Sequence, residues 1–166
     1  DPEMSARVVE ACKRVAKKPL IAKLSPNQTD IKANAERCIN AGSDGLSVVN
    51  TISGMAIDIE TQKPVLGNNA GGLSGPAIKP IALLKVKEVY DVAKKHGVPI
   101  IGQGGISSSD DAIEFLLAGA SALGVGTALF SDPLLCDKIN QGLSEYLKEH
   151  GVGSVGGLVG ALKENN

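Results

Sequence analysis

The chain has 166 residues, a net charge near −1 and 43% hydrophobic residues, enough for one domain with a sizeable core. Acidic and basic residues are mixed along it, and only two Phe, two Tyr and no Trp are present, which disfavours binding to nucleic acid or to an anionic membrane. No apolar run approaches the ~20 residues of a membrane span, and the first residues lack a signal-peptide pattern, so we expect a cytoplasmic protein.

The chain is predicted to alternate helices and strands. Asp1 and Pro2 begin the first helix as N-cap and first helical residue, and its apolar positions from Val8 to Val15 are expected to cover a sheet. Strands are predicted at Leu20–Ala22, Asp44–Asn50, Val98–Ile101 and Ala122–Thr127, and the later helices at about 30–40, 76–97, 109–119 and 133–150, with Thr29 or Asp30 and Ser109–Asp110 as caps. Short, continuous apolar strands are typical of a parallel sheet covered on both faces, and right-handed crossovers place them side by side in chain order. We therefore predict an α/β fold, a single domain over residues 1–166, whose parallel βα units are half of an eight-unit barrel.

Residues 51–76 interrupt this alternation. They carry no helical periodicity and are long for a loop in a compact domain, which predicts a lid or a binding loop. Within them, Met55–Ile59 and Lys63–Leu66 are predicted to form a small hairpin. The segment Asn68–Gly75 is expected to be too rich in glycine for regular structure, and a short amphipathic piece is predicted at Val155–Lys163.

The cysteines and histidines are predicted to be structural. Cys12, Cys38 and Cys136 are odd in number and far apart, so they fit neither a disulfide framework nor a metal site, and we expect free, buried, apolar thiols. His96 and His150 each precede a glycine at a predicted helix end, where a histidine interacts favourably with the last carbonyls. No acid pair, Ser–His–Asp set or metal cluster is apparent in the sequence.

Glycines follow the last two predicted strands. Gly104–Gly105 comes after the third strand, and Gly126–Thr127 ends the fourth. Backbone amides at adjacent strand ends, next to helix N-termini, predict a phosphate-binding site, which in barrels commonly follows the last two strands. The alternative is that these glycines only permit tight turns.

Polar residues end the first two predicted strands. Lys23 stands at the end of an apolar strand, which suggests a phosphate, a carboxylate or the pyrimidine edge of a flavin as its partner; the alternative is a lysine that reaches solvent. Asn50 and Thr51 offer one amide and one hydroxyl, suited to a small ring with carbonyl and N–H groups. Gly71–Gly75 would let the backbone approach a flat ligand closely.

Five segments of the sequence together have the pattern of one known family: KLSPNQTDI, VVNT, MAIDIETQKPVLGNNAGGLSGPAIKPIAL, IIGQGGI and LAGASALGVGTALFSDP. They resemble class 1 dihydroorotate dehydrogenases, most closely the class 1B catalytic subunit, and the resemblance runs from about Asp1 to the C-terminus. It implies the C-terminal half of a TIM (β/α)8 barrel that holds flavin mononucleotide (FMN) and oxidises dihydroorotate to orotate in pyrimidine biosynthesis.

The resemblance also implies roles for individual residues. Lys23 would contact the flavin ring near its O2, where positive charge favours the reduced flavin, and Val49 would line the FMN site. Asn50 with Thr51 would hold the orotate. The remaining FMN contacts would be Gly75, Gly104, Gly105, Gly126 and Thr127, the last four around the phosphate.

The family's catalytic base has no counterpart in this sequence. In class 1 enzymes it is a cysteine on a loop of the N-terminal half, whereas Cys12, Cys38 and Cys136 fall on predicted helices outside the matching motifs. The resemblance therefore assigns no catalytic residue to this chain, and we expect the chain by itself to be inactive. A start at Asp1 without an initiator Met is expected of a segment of a longer product, and equally of a processed or trimmed chain.

The predicted half-barrel has two open sheet edges, which favour pairing with another chain. We expect either an edge-to-edge homodimer or a separate N-terminal half-barrel chain. Class 1B members work with a second subunit that carries FAD and an iron–sulfur cluster and use NAD, whereas class 1A members use fumarate. Only overall similarity favours the first of these acceptors.

Three other interpretations use the same motifs. The barrel domain of dihydropyrimidine dehydrogenase also uses FMN, although GLSGPAIKP and VGTALFSDP favour the dihydroorotate enzyme. A non-catalytic FMN- or phosphate-binding half-barrel would need no base. A barrel enzyme acting on another phosphorylated substrate would leave Lys23 and Asn50–Thr51 without roles.

Overall fold

The computed structural model describes residues 1–165. In chain order its helices and strands are α1 (Pro2–Lys13), β1 (Ile21–Leu24), α2 (Ile31–Asn40), β2 (Gly45–Val48), β3 (Ile52–Gly54), β4 (Ile57–Asp58), β5 (Lys63–Pro64), β6 (Gly71–Leu73), α3 (Lys79–Ala93), β7 (Ile100–Gln103), α4 (Ser109–Leu117), β8 (Ala122–Gly124) and α5 (Leu135–Glu149). Short 3-10 turns lie at Pro76–Ile78, Lys94–His96, Thr127–Phe130 and Val155–Leu158.

The central sheet of the described chain has the strand order β1-β2-β7-β8, and all of its pairs are parallel. The register aligns Leu46 with Ile100 and Ile101 with Ala122. This confirms the predicted α/β fold, with its strands side by side in chain order. Because the strands are parallel, their carboxyl ends lie along one edge of the sheet, where the polar residues of the sequence are found.

The core lies between this sheet and the helices that connect its strands. Phe115 of α4 packs against Gly102 of β7, where a Cβ atom would lie only 2.9 Å from the ring atom Cδ1. The largest fully buried side chains are Phe115, Ile31, Leu46, Ile100, Leu116, Val48, Val86, Val89 and Cys38. Burial of each such apolar side chain contributes about 1.5–3 kcal/mol, which fixes the helices against the strands.

Side-chain caps begin three of the helices. Asp1 accepts hydrogen bonds from the first turn of α1, as the sequence predicts, and Asp30 rather than Thr29 does the same for α2. The cap predicted for α4 at Ser109–Asp110 is wrong by one residue. Ser108 has extended backbone, and its hydroxyl accepts from the Asp111 N–H at 3.1 Å, so Ser108 is the N-cap.

The end of the sheet nearest the N-terminus is less covered than predicted. In α1, Val9 is buried, but Val8 is 58% and Val15 78% exposed. Ile21 in β1 is 48% exposed, so the prediction of a strand covered on both faces is wrong there. The physical reason is that β1 is an edge strand in the described chain, with a strand partner on one side.

The predicted burial of all three cysteines is wrong for two of them. Cys38 is buried in α2, and desolvation raises the pKa of its thiol. Cys12 and Cys136 lie on exposed positions of α1 and α5, and all three thiols are free. The histidines lie at helix ends as predicted, with His96 ending the turn after α3 and His150 as the C-cap of α5.

Residues 51–76 contain two small antiparallel pairs. The predicted hairpin is present and shorter, since β4 pairs with β5 over two residues on each strand. The prediction of an irregular Asn68–Gly75 segment is wrong, because β6 pairs with β3. Gly72 permits this pairing because the Thr51 side chain occupies the space where a Cβ atom would lie.

Several predicted elements extend too far. The second strand spans Gly45–Val48 rather than Asp44–Asn50. The fourth strand ends at Gly124 rather than Thr127, because the Leu129 N–H donates to Gly126 O and closes a 3-10 turn there. The predicted amphipathic piece Val155–Lys163 is only a turn over Val155–Leu158.

Candidate functional site

The carboxyl ends of the central strands surround a cavity of about 330 Å³. This volume lies within the range of small-molecule and cofactor sites. The residues that the resemblance assigns to the site all line it: Lys23, Val49, Asn50, Thr51, Gly75, Gly104, Gly105, Gly126 and Thr127. Of the stretch Gly71–Gly75, which was also expected to approach a ligand, only Ser74 and Gly75 line the cavity.

Strand topology explains why residues so far apart in sequence meet. Lys23 is the next-to-last residue of β1, and Val49 directly follows β2. Gly104 directly follows β7, and Gly126 lies two residues beyond β8. Since parallel strands end at the same edge of the sheet, these four strand ends converge on one cavity.

Backbone N–H groups are the main polar feature of the β7 and β8 ends. We call the N–H groups of Gly105, Ile106, Gly126 and Thr127 the amide cradle. Within residues 1–165, none of these four donates a hydrogen bond to a protein acceptor, and all four residues line the cavity. Neighbouring N–H groups left free in this way bind anions such as phosphate.

Glycine is required where β7 ends. Gly104 and Gly105 have φ values of +127° and +89°, which side chains other than hydrogen rarely permit. A Cβ atom on Gly105 would lie 2.8 Å from the carbonyl oxygen of Gly75 and 3.0 Å from the backbone nitrogen of Lys79. The turn after β7 is therefore packed directly on the first residues of α3.

Lys23 is an exposed residue of β1 that lines the cavity and supplies positive charge to it, so the alternative of a lysine that reaches solvent also holds. Among residues 1–165 it is the only charged residue on the cavity wall, and it forms no ion pair with a carboxylate there. A lining with one cation, no carboxylate and free N–H groups favours an anionic ligand.

The β1 and β2 ends are joined by an asparagine that the sequence analysis missed. Asn27 donates from Nδ2 to the carbonyl oxygen of Thr51 at 2.9 Å and accepts from the Ser53 N–H at 2.9 Å. The Asn50 side chain accepts from the Thr51 N–H at 2.8 Å, which leaves its amide N–H groups for a ligand. Asn50 and Thr51 are thus held at the cavity by the loop after β1.

Gln103 and Ser74 are two further polar residues that line the cavity and were not singled out from the sequence. Gln103, the last residue of β7, donates from Nε2 to the carbonyl oxygen of Val49 at 2.9 Å and joins two strand ends. The hydroxyl of Thr127 is 2.8 Å from that of Ser74, which joins the long loop to the β8 end. Gln103 could have been identified from its place as the polar residue that ends the run Ile100–Gly102.

A partly buried ion-pair cluster, in which Asp111 is the buried member, lies beside the loop after β7. The Lys79 ammonium is 2.6 Å from Asp111 Oδ1 and 3.0 Å from Glu114 Oε1. Asp111, 8% exposed, accepts on Oδ2 from both the N–H and the hydroxyl of Ser107, each at 2.8 Å. Burial opposes ionisation of Asp111, but the hydrogen bonds from Lys79 and Ser107 outweigh it and lower the pKa of Asp111 from 3.8 to about 2.

Asp111→Asn is expected to lower the free energy of unfolding by about 2 kcal/mol at pH 7, since each pKa unit corresponds to about 1.4 kcal/mol. The pKa is lower in the folded state, so the stabilisation is present above about pH 4 and is lost as the pH falls through about 2. Urea unfolding of both proteins between pH 7 and pH 2 measures the difference. A difference that stays constant over this range would contradict the assignment.

Two negative observations apply to the described part of the chain. No group of His, Cys, Asp or Glu in residues 1–165 is arranged to hold a metal ion. None of the helices in those residues combines the length and apolar character that crossing a membrane requires.

The family model described as dihydroorotate dehydrogenase matches residues 1–147. The chain is similar to proteins named dihydroorotate dehydrogenase B (NAD(+)), catalytic subunit, in several bacteria. The relative from Pelobacter propionicus is 55% identical over 98% of this chain and 53% of its own length. Those from Geotalea daltonii and Enterococcus faecalis are 52% and 46% identical, over 98% and 99% of this chain and 52% of each relative. The chain spans about half the length of the curated relatives it matches.

Proposed function

Because the chain belongs to the dihydroorotate dehydrogenase family, we propose that it supplies the flavin-binding part of an enzyme that oxidises dihydroorotate to orotate. The family fold is a (β/α)8 barrel, and the four parallel βα units of the chain are half of one. The observation that carries the proposal is the joining of the free N–H groups of the amide cradle and the Lys23 cation in one cavity.

The cavity fits flavin mononucleotide in three respects. The amide cradle suits a phosphate, since its N–H groups have no other acceptor within residues 1–165. Lys23 suits the polar, pyrimidine edge of the ring, and Val49 and Gly75 give walls against which a flat ring can lie. Bound FMN would supply the hydride acceptor for the oxidation.

Each part of the site has a distinct task in this proposal. The amide cradle, with Gly104 at its edge, holds the phosphate and so fixes the position of the ring. Lys23 places positive charge where negative charge develops on the ring during hydride transfer. Asn50 and Thr51 orient the substrate, because an amide and a hydroxyl can pair with the carbonyl and N–H groups of a pyrimidine.

The proposal places no catalytic base in this chain. Oxidation of dihydroorotate removes a proton as well as a hydride, so a base must accept the proton. None of Cys12, Cys38 and Cys136 lines the cavity, and Cys38 is buried in α2. We assign the base to the part of the relatives that the chain does not span, and we expect the chain alone not to oxidise dihydroorotate.

The proposed partners follow from the sheet edges and from the relatives. β1 and β8 are the edge strands of the central sheet, so each offers unpaired backbone groups to a complementary half-barrel or to a second copy. The relatives are named as catalytic subunits of an NAD(+) enzyme. This name supports a second subunit with FAD and an iron–sulfur cluster, rather than fumarate, as the electron acceptor. The cytoplasmic location stays a prediction.

A hybrid barrel tests the proposal, formed by putting residues 1–166 in place of the matching part of the Pelobacter propionicus relative. We expect the hybrid barrel to bind FMN and dihydroorotate to bleach its flavin absorbance under anaerobic conditions. Residues 1–166 alone are the control, with no bleaching expected.

Other outcomes distinguish the competing functions. FMN binding without bleaching by the hybrid barrel would favour a non-catalytic flavin module, which the lack of a base at the cavity also supports. Bleaching by dihydropyrimidines but not by dihydroorotate would favour the dihydropyrimidine dehydrogenase type. Tight binding of a sugar phosphate with no FMN binding would reject the flavin proposal.

A further inference from the structure

The proposed function gives no role to the cluster of Lys79, Asp111 and Ser107, which holds the loop after β7 in place. None of the three lines the cavity, yet together they hold the loop that carries half of the amide cradle. Asp111 is bonded on one oxygen to Lys79, at the start of α3, and on the other to Ser107, two residues after Gly105.

The same loop is held from its other side. Gly105 lies so close to α3 that an added Cβ atom would be 3.0 Å from both the backbone nitrogen and the Cβ of Lys79. Ile106, 3% exposed, is buried between Gly105 and the Ser107 anchor. The loop after β7 is thus fixed at both ends by one lysine and one aspartate.

Charge argues against a direct electrostatic role for the cluster. One ammonium and two carboxylates, from Lys79, Asp111 and Glu114, leave it with a net charge of about −1. A negative cluster behind the cradle would repel a phosphate, so charge alone would make removal of a carboxylate strengthen phosphate binding. A positioning role predicts the opposite sign.

We infer that the Lys79–Asp111 pair is a positioning device for phosphate recognition. It aims the N–H groups of Gly105 and Ile106 at the ligand phosphate without touching the ligand. The inference rests on the proposed function, because it takes the anion at the cradle to be the phosphate of FMN. Misplacing these N–H groups weakens their charge-assisted hydrogen bonds to the phosphate, with an expected loss of about tenfold or more in affinity.

Comparing FMN with riboflavin, which lacks the phosphate, isolates this effect. In the hybrid barrel, which contains the whole chain, fluorescence titration gives the dissociation constants of both ligands. We expect Asp111→Asn to weaken FMN binding by about tenfold or more and to leave riboflavin binding unchanged. Lys79→Met should have the same effect, but the loss of its positive charge would by itself weaken phosphate binding, so Asp111→Asn is the deciding variant.

Two control variants separate positioning from other causes. Glu114→Gln removes a carboxylate from Lys79 but keeps the hydrogen bonds of Asp111, so it should not weaken FMN binding relative to riboflavin binding. Val89→Ala weakens the core of α3 away from the loop, so it should also preserve the ratio. Any effect of lower stability alone would change both ligands together.

Failure of this inference can be distinguished from failure of the proposed function. An unchanged or increased preference for FMN over riboflavin in Asp111→Asn would overturn the inference. If the unmodified hybrid barrel binds FMN no better than riboflavin, the phosphate site itself is wrong, and this is seen before any variant is made.

Discussion

Replacing Gly105 with alanine is expected to lower the free energy of unfolding by about 2–5 kcal/mol and to abolish FMN binding by the hybrid barrel. A positive φ of +89° costs an alanine about 1–2 kcal/mol, and a Cβ atom 2.8 Å from the Gly75 carbonyl oxygen adds about 1–3 kcal/mol of overpacking. To relieve this close contact, the loop after β7 would have to move away from α3. The N–H groups of Gly105 and Ile106 would then no longer reach the phosphate.

Gly97→Ala is the matched control for this variant. Gly97 also has a positive φ, +65°, but a Cβ atom there would meet no atom within 4 Å. We expect a loss of about 1–2 kcal/mol from the backbone alone, with FMN binding retained. Urea unfolding and FMN titration measure both effects. Equal behaviour of the two alanine variants would contradict the packing described for the β7 end.

Replacing Lys23 with methionine is expected to slow the reduction of bound flavin by dihydroorotate by about 100- to 1000-fold. Methionine has a similar length but no charge, and Lys23 is the only charged residue on the cavity wall in residues 1–165. Removing one preorganised group that stabilises developing charge typically has an effect of this size. FMN should still bind, because the amide cradle is unchanged.

Lys32→Met tests whether the loss of any nearby lysine has this effect. Lys32 is an exposed residue in the first turn of α2 and does not line the cavity. Anaerobic stopped-flow absorbance of the hybrid barrel gives the reduction rate of both variants. A rate for Lys23→Met close to that of Lys32→Met would show that Lys23 has no part in the oxidation.

Much of the fold and the site could be predicted because short-range signals and topology agree. Asp1 and Asp30 are capping residues directly before apolar helical patterns, and both cap their helices. The parallel strand order then carries Lys23 and Gly104 to the same edge of the sheet, although they are far apart in sequence. Knowing the strand ends was enough to expect Lys23 and the strand-end glycines at one edge, whereas Val49 was expected only from the family resemblance.

The features that escaped prediction depend on long-range contacts. Asp111 appears in the sequence as one of two adjacent acidic residues at the start of a helix, and only the structure pairs it with Lys79, 32 positions away. The pairing of β6 with β3 depends on the fit of Gly72 against the Thr51 side chain. The exposure of Ile21 reflects its place on the edge strand β1, which local apolar patterns do not reveal.

The central claim is that the two glycine turns and Lys23 form one binding site for a phosphorylated flavin. A crystal structure of the hybrid barrel with FMN tests it most directly. We predict that the phosphate oxygens lie about 3 Å from the backbone nitrogens of the amide cradle, with the pyrimidine edge of the ring beside Lys23. A phosphate bound elsewhere, with the amide cradle facing solvent, would contradict the claim.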